Sequence, residues 1–202
     1  MEPMNMDALV EAVVGRLFVP IEVSGRHVNL TAAQAHALFG HGLTPDRPLS
    51  QPGQYLANER VTVIGPRGEF RNVAVLGPER KEAQIEISLT DARTLGIEAP
   101  VRMSGDVSGT PGATLVGTRG QLTIDPGVIA AQRHIHLTPE AAKWFGVEDR
   151  QVVKLRTFTS RPCIFEDVVV RISDRFSPAV HLDYDESNAC GFCSGDLGRI
   201  LT

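Results

Sequence analysis

The sequence predicts a mostly β protein with short α-helices, in which one structural plan occurs twice. Short runs rich in Val and Ile are separated by turns, and the chain contains 19 glycines and 13 prolines, which favours strands over a helical bundle. The hexapeptide Arg26–Thr31 (RHVNLT) recurs as Arg133–Thr138 (RHIHLT). The segment Ile85–Gly96 also aligns without gaps with Val180–Gly191. This self-similarity indicates an internal duplication.

Ahead of the two related halves, residues 1–18 predict an amphipathic helix. Asn5 can cap its start, and Pro20 prevents it from continuing past Val19. Its apolar residues follow one another at helical spacing: Met6, Leu9, Val10, Val13, Val14 and Leu17. A helix of this kind either packs on the body of the protein or docks into a groove on a partner.

The first half, residues 19–115, predicts short strands and two short helices. Thr31 can cap a helix over Ala32–Phe39, and Thr90 opens a second helix that reaches Leu95. A glycine, Gly40 or Gly96, ends each helix. The predicted strands are Val19–Ser24, Arg60–Ile64, Phe70–Leu76 and Ala83–Ser88, of which the middle two form a hairpin.

The second half, residues 116–202, repeats this plan, and strands can be exchanged between two such halves. It begins with a hairpin across Val116–Ile124 and continues into the strand that carries His134. Thr138 starts a helix that reaches Phe145. Further strands are predicted at Gln151–Phe158, Cys163–Ile172 and Ala179–Asp183.

Composition excludes several classes of function. The net charge is −4 and the basic residues are scattered, so no nucleic-acid surface is expected. No run approaches the roughly 18 apolar residues of a membrane span, and the N-terminus lacks the pattern of a secretion signal. An odd set of cysteines (Cys163, Cys190 and Cys193) argues against a disulfide scaffold and predicts a reducing, cytoplasmic location. Without a second pair, the motif formed by Cys190 and Cys193 is a weak zinc signal.

The second half contains a candidate zinc site. His134 and His136 are two residues apart on a predicted strand, and alternate side chains of a strand share one face. The repeat adds His181 as a third ligand. Three imidazoles with an open fourth position are a common arrangement of catalytic zinc.

The corresponding residues of the first half predict a weaker cation site. His27 matches His134, Glu86 matches His181, and Asn29 stands where the repeat predicts a histidine. Because an amide oxygen is a weak zinc ligand, we expect this site to bind metal less tightly or to recruit another ligand, such as His41. Alternatively, the Glu86 carboxylate pairs with an arginine, Arg80 or Arg93.

Three arginines near these ligands are candidate anion binders. The guanidinium group suits phosphate or carboxylate, and Arg26 and Arg133 directly precede proposed metal ligands, while Arg80 precedes the Glu86 strand. From the residues alone, the interpretation is an enzyme with one or two metal ions that acts on a phosphate-bearing substrate.

Longer blocks of sequence carry a family resemblance. From about residue 6 to about residue 190, the chain resembles the PduL-type phosphotransacylases, or phosphate propanoyltransferases, of bacterial microcompartments. The blocks, in order, are Val23–Val28, Leu49–Tyr55, Gln84–Ser88, Thr90–Ile97, Pro100–Asp106 and Gly127–His136.

The resemblance implies a fold, an activity and partners. The fold is a pair of small β-barrels capped by short helices, with two zinc ions. The activity is transfer of a propanoyl or acetyl group between coenzyme A and inorganic phosphate, as in propanediol utilisation. Residues 6–18 correspond to the encapsulation peptide, which implies shell or core proteins as partners and a place in the microcompartment lumen. We also expect a homo-oligomer, and neither nucleic acid nor membrane as a partner.

The resemblance also implies roles for particular residues. Arg80 matches the phosphate-binding arginine of the family. Contacts to coenzyme A are implied at Ser24, Leu76, His181 and Asn188. The zinc ligands implied are His134, His136 and His181 at one site, and His27, Asn29 and Glu86 at the other.

The chain departs from the family pattern in three places. Asn29 replaces a histidine ligand, Leu89 stands where the family usually has arginine, and the tail after Ala189 lies outside the resemblance. Two alternative functions therefore remain. One is a metal-dependent thioester hydrolase, and the other is a non-catalytic microcompartment component with structural zinc.

Overall fold

The computed structural model describes residues 6–202, apart from the side chains at positions 6, 8, 9, 11 and 12. Over that range the chain is mostly β, as predicted. The helices are α1 (Met6–Leu17), α2 (Ala32–Phe39), α3 (Leu89–Leu95), α4 (Pro139–Phe145) and α5 (Tyr184–Cys190). The strands are β1 (Val19–Val23), β2 (His27–Asn29), β3 (Pro45–Pro48), β4 (Tyr55–Ile64), β5 (Glu69–Gly77), β6 (Gln84–Ile87), β7 (Val101–Arg102), β8 (Ala113–Val116), β9 (Gln121–Ile124), β10 (Val128–Ala131), β11 (His134–Leu137), β12 (Val152–Phe158), β13 (Ile164–Ile172), β14 (Ala179–Leu182) and β15 (Leu197–Leu201).

The N-terminal segment is described only in part. Residues 1–5, including the predicted cap Asn5, lie outside the described residues. In α1, the side chains of Val10, Val13 and Leu17 are each about half exposed, and the guanidinium of Arg16 lies 5.2 Å from the ring centroid of Trp144 in α4. The docking role of this segment stays a prediction.

Contacts divide the chain into two compact units. The barrel unit comprises the chain up to Ser24, Arg133–Leu182 and Glu186–Thr202, and the sheet unit comprises Gly25–Gln132 and Asp183–Asp185. The predicted segments 19–115 and 116–202 follow the sequence repeat rather than these contacts, and they stay a prediction.

The barrel unit is built around a closed six-stranded barrel. The strand order is β1-β14-β11-β13-β12-β15, and β15 returns to pair with β1. Alternation along β12 follows strand geometry, since its buried and exposed positions alternate strictly. The core of this unit includes Val19, Ile135, Leu137, Leu155, Val170, Val180 and Leu182.

The sheet unit contains an open, curled sheet in the order β7-β10-β6-β2-β5-β4-β8-β9, with β3 paired to β4. The backbone N–H groups of Gly127 and Val128 both donate to the carbonyl of Pro111, at 3.3 and 2.9 Å. In place of the predicted pair of barrels, the structure thus has one closed barrel and one curled half-barrel. The core of the sheet unit includes Val28, Leu30, Leu38, Val61, Val75, Ile85, Leu95 and Leu115.

The duplication is visible in the strand pairing of each unit. In the sheet unit, β2 pairs antiparallel with β6 and parallel with β5. In the barrel unit, β11 pairs antiparallel with β14 and parallel with β13. The strand just before β2 in the chain, β1, pairs parallel with β14, whereas the strand just before β11, β10, pairs parallel with β6.

Capping residues begin and end the predicted helices. The side chain of Thr31 accepts from the backbone of Gln34 in a capping box, and the side chain of Thr138 accepts from the backbone of Ala141. Gly40 and Gly96 end α2 and α3 with φ of 81° and 74°, a conformation that favours glycine. One difference is that Ser88, rather than Thr90, caps α3.

The sequence did not predict α5 or β15. Helix α5 is seven residues of mostly polar side chains and lacks an apolar stripe, so the helical period was not detectable. None of the helices that the structure describes combines the length and apolar character needed to cross a bilayer.

Candidate metal centre and active site

Three histidines meet in the barrel unit, as the sequence predicted. His134 and His136 share a face of β11, and His181 on β14 lies directly opposite His134 in the antiparallel register. One ring nitrogen from each histidine lies within 4.8 Å of the others. The ring centroids are 4.7 to 5.0 Å apart. Among the described residues, no other group of three His, Cys, Asp or Glu is this close.

The environment of this cluster keeps His136 neutral. Burial lowers its pKa to about 2, and the neighbouring His181, His134 and Arg171 act in the same direction. Both ring nitrogens of His136 are buried and have no hydrogen-bond partner among the described residues. A buried polar atom without a partner is costly, and a neutral imidazole is a good zinc ligand. The residues present therefore fit a bound zinc ion.

Two further residues support the cluster, and the sequence did not indicate either of them. The ring of Phe176 stacks on His136 at a centroid distance of 4.0 Å. The carboxylate of Glu22 on β1 lies 3.8 Å from Nδ1 of His181, in direct register with it. A carboxylate beside a ligating histidine orients the ring and raises its basicity.

The sheet unit brings His27 and Glu86 together. They are directly opposite in the β2–β6 pairing, both are buried, and Nε2 of His27 lies 3.5 Å from Oε1 of Glu86. Nδ1 of His27 donates to the carbonyl of Gly25 at 2.8 Å. Burial lowers the pKa of His27, but the charge and hydrogen bond of Glu86 outweigh it and the net pKa is raised, with the charge of Arg80 opposing.

Asn29 lies on the same face of β2 as His27, two residues further along the strand. Its Nδ2 donates to the carbonyl of Leu76 at 3.2 Å. Its Oδ1 is buried and has no hydrogen-bond partner among the described residues. An amide oxygen therefore stands at this site, where the repeat has a histidine nitrogen.

Two residues near Glu86 were not predicted. Ser104 Oγ donates to Oε1 of Glu86 at 2.9 Å, and Nε2 of Gln84 donates to the same oxygen. Gln84 could have been found, since it is two residues from Glu86 on one strand and shares its face. Ser104 comes from a loop, and loop contacts leave no periodic signal.

His41 does not complete the site of the sheet unit. Its side chain is 56% exposed and its Nδ1 lies 3.7 Å from Glu59. It also forms no ligand cluster with His27 and Glu86 among the described residues. The expectation that His41 supplies the missing ligand is wrong.

The candidate anion binders Arg26 and Arg133 are each held by a carboxylate. Arg26 makes two hydrogen bonds with Asp91, at 3.0 and 2.7 Å, and Arg133 lies 2.7 Å from Glu186. Asp91 and Glu186 occupy the same place in the aligned repeat. Each guanidinium also lies over a phenylalanine, Phe70 or Phe165, which again match in the repeat. Arg26 and Arg133 therefore have a duplicated structural role.

The remaining predicted residues lie in different units. Arg80 follows β5 in the sheet unit, where its backbone N–H donates to Leu30 at 2.8 Å. Leu76 belongs to the same unit. Ser24, His181 and Asn188 belong to the barrel unit, and the N–H of Ser24 donates to Leu182 at 2.7 Å. Their predicted substrate contacts stay predictions.

Comparison with known proteins decides the family. The model of the phosphate propanoyltransferase family matches residues 20–193. The chain belongs to this family. A phosphate propanoyltransferase of Enterococcus faecalis is 51% identical over 98% of this chain and 97% of the relative. Those of Clostridioides difficile and Listeria monocytogenes are 46% and 48% identical, over 97% and 96% of this chain and 97% and 94% of the relatives.

Membership of the phosphate propanoyltransferase family makes the chain an acyltransferase of the phosphotransacylase type. The family match also corrects one expectation about its extent. It runs to residue 193, so Cys190 and Cys193 lie inside the region of similarity rather than in a separate tail. Cys190 is buried and Cys193 is exposed.

Proposed function

We propose that this chain transfers a short acyl group, propanoyl or acetyl, between coenzyme A and inorganic phosphate at a zinc centre. The observation that carries the proposal is the buried cluster of His134, His136 and His181, in which both nitrogens of His136 lack hydrogen-bond partners among the described residues. Bound there, zinc would supply Lewis-acid polarisation of a thioester carbonyl and stabilisation of a thiolate.

The zinc ligands proposed for the barrel unit are these three neutral imidazoles. They leave a fourth position open, as catalytic zinc requires. The pairing of His134 with His181 across β11 and β14 fixes two of the rings on a rigid sheet. For the sheet unit we propose His27, Glu86 and Asn29 as ligands of the second metal ion.

Arg80 is proposed to bind the phosphate. A guanidinium can hold two phosphate oxygens at once, which orients a third for attack on the thioester carbonyl. In that reaction a carbon–oxygen bond forms, the carbon–sulfur bond breaks, and coenzyme A leaves as its thiolate. The proposal is supported by the charge of Arg80, which opposes the net rise in the pKa of His27 in the sheet unit.

Coenzyme A contacts at Ser24, Leu76, His181 and Asn188 belong to the same proposal and rest on the family resemblance. So does docking of residues 6–18 to shell or core proteins, which would place the enzyme in the lumen of a bacterial microcompartment. Self-association into a homo-oligomer is part of this proposal too.

The test measures thiol release from propanoyl-coenzyme A with and without phosphate, alongside zinc content per chain. We expect release to require phosphate, and His136→Ala to lose both activity and zinc. His36→Ala is the matched control, because His36 is exposed on α2. Phosphate-independent release would instead identify a thioester hydrolase. An inactive protein that retains tightly bound zinc would identify a structural role.

A further inference from the structure

The two candidate metal sites offer different donor atoms. In the barrel unit the donors are three imidazole nitrogens. In the sheet unit, His27 supplies one nitrogen, whereas Glu86 supplies a carboxylate and Asn29 an amide oxygen on the same face of the sheet. Imidazole suits zinc, and carboxylate and carbonyl oxygens suit harder cations such as Mn²⁺.

The orientation of the Asn29 amide follows from its partner. The carbonyl of Leu76 can only accept, so the group that faces it at 3.2 Å is the NH₂ of Asn29. Oδ1 then points the other way. Only 1% of the Asn29 residue is exposed, and Oδ1 has no hydrogen-bond partner among the described residues. A cation is a group that an unpartnered carbonyl oxygen can bind together with a carboxylate on the same face of the sheet.

Neighbouring residues hold the other two donors in place. His27 donates through Nδ1 to Gly25, which leaves Nε2 on the side of Glu86. Ser104 and Gln84 donate to Oε1 of Glu86, and Gln84 itself accepts from the backbone of Gly105 at 2.6 Å. Such supporting hydrogen bonds orient ligands before the metal arrives.

We infer that the sheet unit carries a cation site for Mn²⁺ or a similarly hard divalent ion, distinct in selectivity from the zinc site of the barrel unit. The inference rests on the proposed function only in assuming that His27 and Glu86 bind a metal. Raw affinity follows the order that places Zn²⁺ above Mn²⁺ at most sites. The distinguishing property is therefore the ratio of the affinity for Zn²⁺ to the affinity for Mn²⁺. We expect the oxygen donors to make this ratio smaller at the site of the sheet unit than at the site of the barrel unit.

The experiment uses the full chain, stripped of metal and then loaded with one equivalent of Zn²⁺. Mn²⁺ is added, and bound Mn²⁺ is read from the loss of its free electron paramagnetic resonance signal. We expect one Mn²⁺ per chain while the zinc stays bound. A second equivalent of Zn²⁺ is then added. In Asn29→His, the free Zn²⁺ concentration that displaces half of the bound Mn²⁺ should be at least about 10-fold lower than in the unmodified protein.

Two further variants separate donor chemistry from damage to the fold. Asn29→Asp keeps an oxygen donor and should retain Mn²⁺. Asn58→His alters an exposed asparagine of β4 and should leave Mn²⁺ binding and its displacement by Zn²⁺ unchanged. The inference is overturned if the unmodified protein and Asn29→His show the same preference for zinc over Mn²⁺, or if Asn29→Asp loses Mn²⁺. Because no substrate is present, this result is independent of whether the transferase proposal holds.

Discussion

Arg80 is the third arginine near the candidate metal ligands, and its charge acts on one of them, His27. Arg26 and Arg133 each make an ion pair at 2.7 Å with an acidic residue. The positive charge of Arg80 opposes the net rise in the pKa of His27, to which Glu86 contributes. At the scale of single residues, the charge of Arg80 thus acts on a candidate ligand of the sheet unit, as that of Arg171 acts on His136 in the barrel unit.

Replacing Arg80 tests its role in phosphate binding. We expect Arg80→Ala to raise the KM for phosphate and to lower kcat/KM by about 10- to 150-fold, since a charge-assisted contact to the reacting group contributes about 1.5–3 kcal/mol. Steady-state kinetics with phosphate as the varied substrate measure this. Arg71→Ala is the control, because the Arg71 side chain is 81% exposed on β5. An unchanged phosphate KM and rate in Arg80→Ala would show that the assigned role is wrong.

At the scale of elements, the Arg26–Asp91 pair ties the start of β2 to α3. The Asp91 side chain is buried, and it also completes the capping box of α3 with Ser88. Arg133 and Glu186 join β11 to α5 in the corresponding way. Each pair therefore links a strand that carries a candidate histidine ligand to the helix that follows the antiparallel neighbour of that strand.

A double-mutant cycle measures how strongly this link stabilises the fold. With Arg26→Met and Asp91→Asn, we expect a coupling energy of about 1–3 kcal/mol from urea denaturation, because the bonds are charge-assisted and Asp91 is buried. The Arg102–Asp106 pair, about half exposed on both sides, should give less than about 0.5 kcal/mol. Equal coupling in the two pairs would contradict a structural role for the Arg26–Asp91 link.

Glu59 on β4 also stabilises the fold through charge-assisted hydrogen bonds, and its contribution to the free energy of unfolding depends on pH. Its carboxylate accepts from Thr44 Oγ1 at 2.6 Å and from Thr44 N at 3.0 Å. Burial raises the pKa of Glu59, but these hydrogen bonds and nearby His41 outweigh burial and hold the pKa below its usual value of 4.5. A carboxyl with a lowered folded-state pKa stabilises the protein above its unfolded pKa, and this stabilisation is lost as the pH falls through the folded pKa.

We therefore expect Glu59→Gln to lower the free energy of unfolding at neutral pH by about 1–3 kcal/mol. The difference from the unmodified protein should shrink once the pH falls below the unfolded value of 4.5. Urea denaturation across this pH range measures both quantities. Glu69→Gln, at an exposed ion pair with Arg71, should change stability by less than about 0.5 kcal/mol. A pH-independent effect of Glu59→Gln would rule out its charge as the cause.

At the scale of the whole molecule, closure of the barrel depends on β15. This strand pairs with β1 on one side and β12 on the other. At Gly198, opposite Val19 and Thr157, a Cβ atom would lie 2.7 Å from Cδ1 of the fully buried Leu155. A side chain there must displace part of the barrel core.

We expect Gly198→Val to lower the free energy of unfolding by about 1–3 kcal/mol, the usual cost of overpacking. Fluorescence of Trp144, the single tryptophan and a residue of the barrel unit, follows the transition. Gly15→Ala is the control, since nothing lies within 4 Å of a Cβ in that helical position. It should leave stability unchanged or raise it by about 0.5–1 kcal/mol. Matching results for the two variants would contradict tight packing at Gly198.

The sequence predicted most of the local elements and the three histidines that lie together in the barrel unit, for identifiable reasons. Strand alternation placed His134 and His136 on one face, and the repeat identified His181. Phe176 and Ser104 could not be predicted, because they reach their partners from loops whose paths leave no periodic pattern. Closure of the six-stranded barrel by β15 could not be predicted either, because Leu197–Leu201 is short and its partner strands lie far away in sequence.

The pairing of β1 has a consequence for the order of events during synthesis. Val19–Val23 is made well before its neighbours in the barrel, β14 and β15, which are residues 179–182 and 197–201. The strands of the sheet unit, in contrast, all lie before residue 132. The first strand must therefore wait until residue 201 has been made before its pairing in the barrel is complete, and the three-histidine cluster forms only after His181 on β14 has been made.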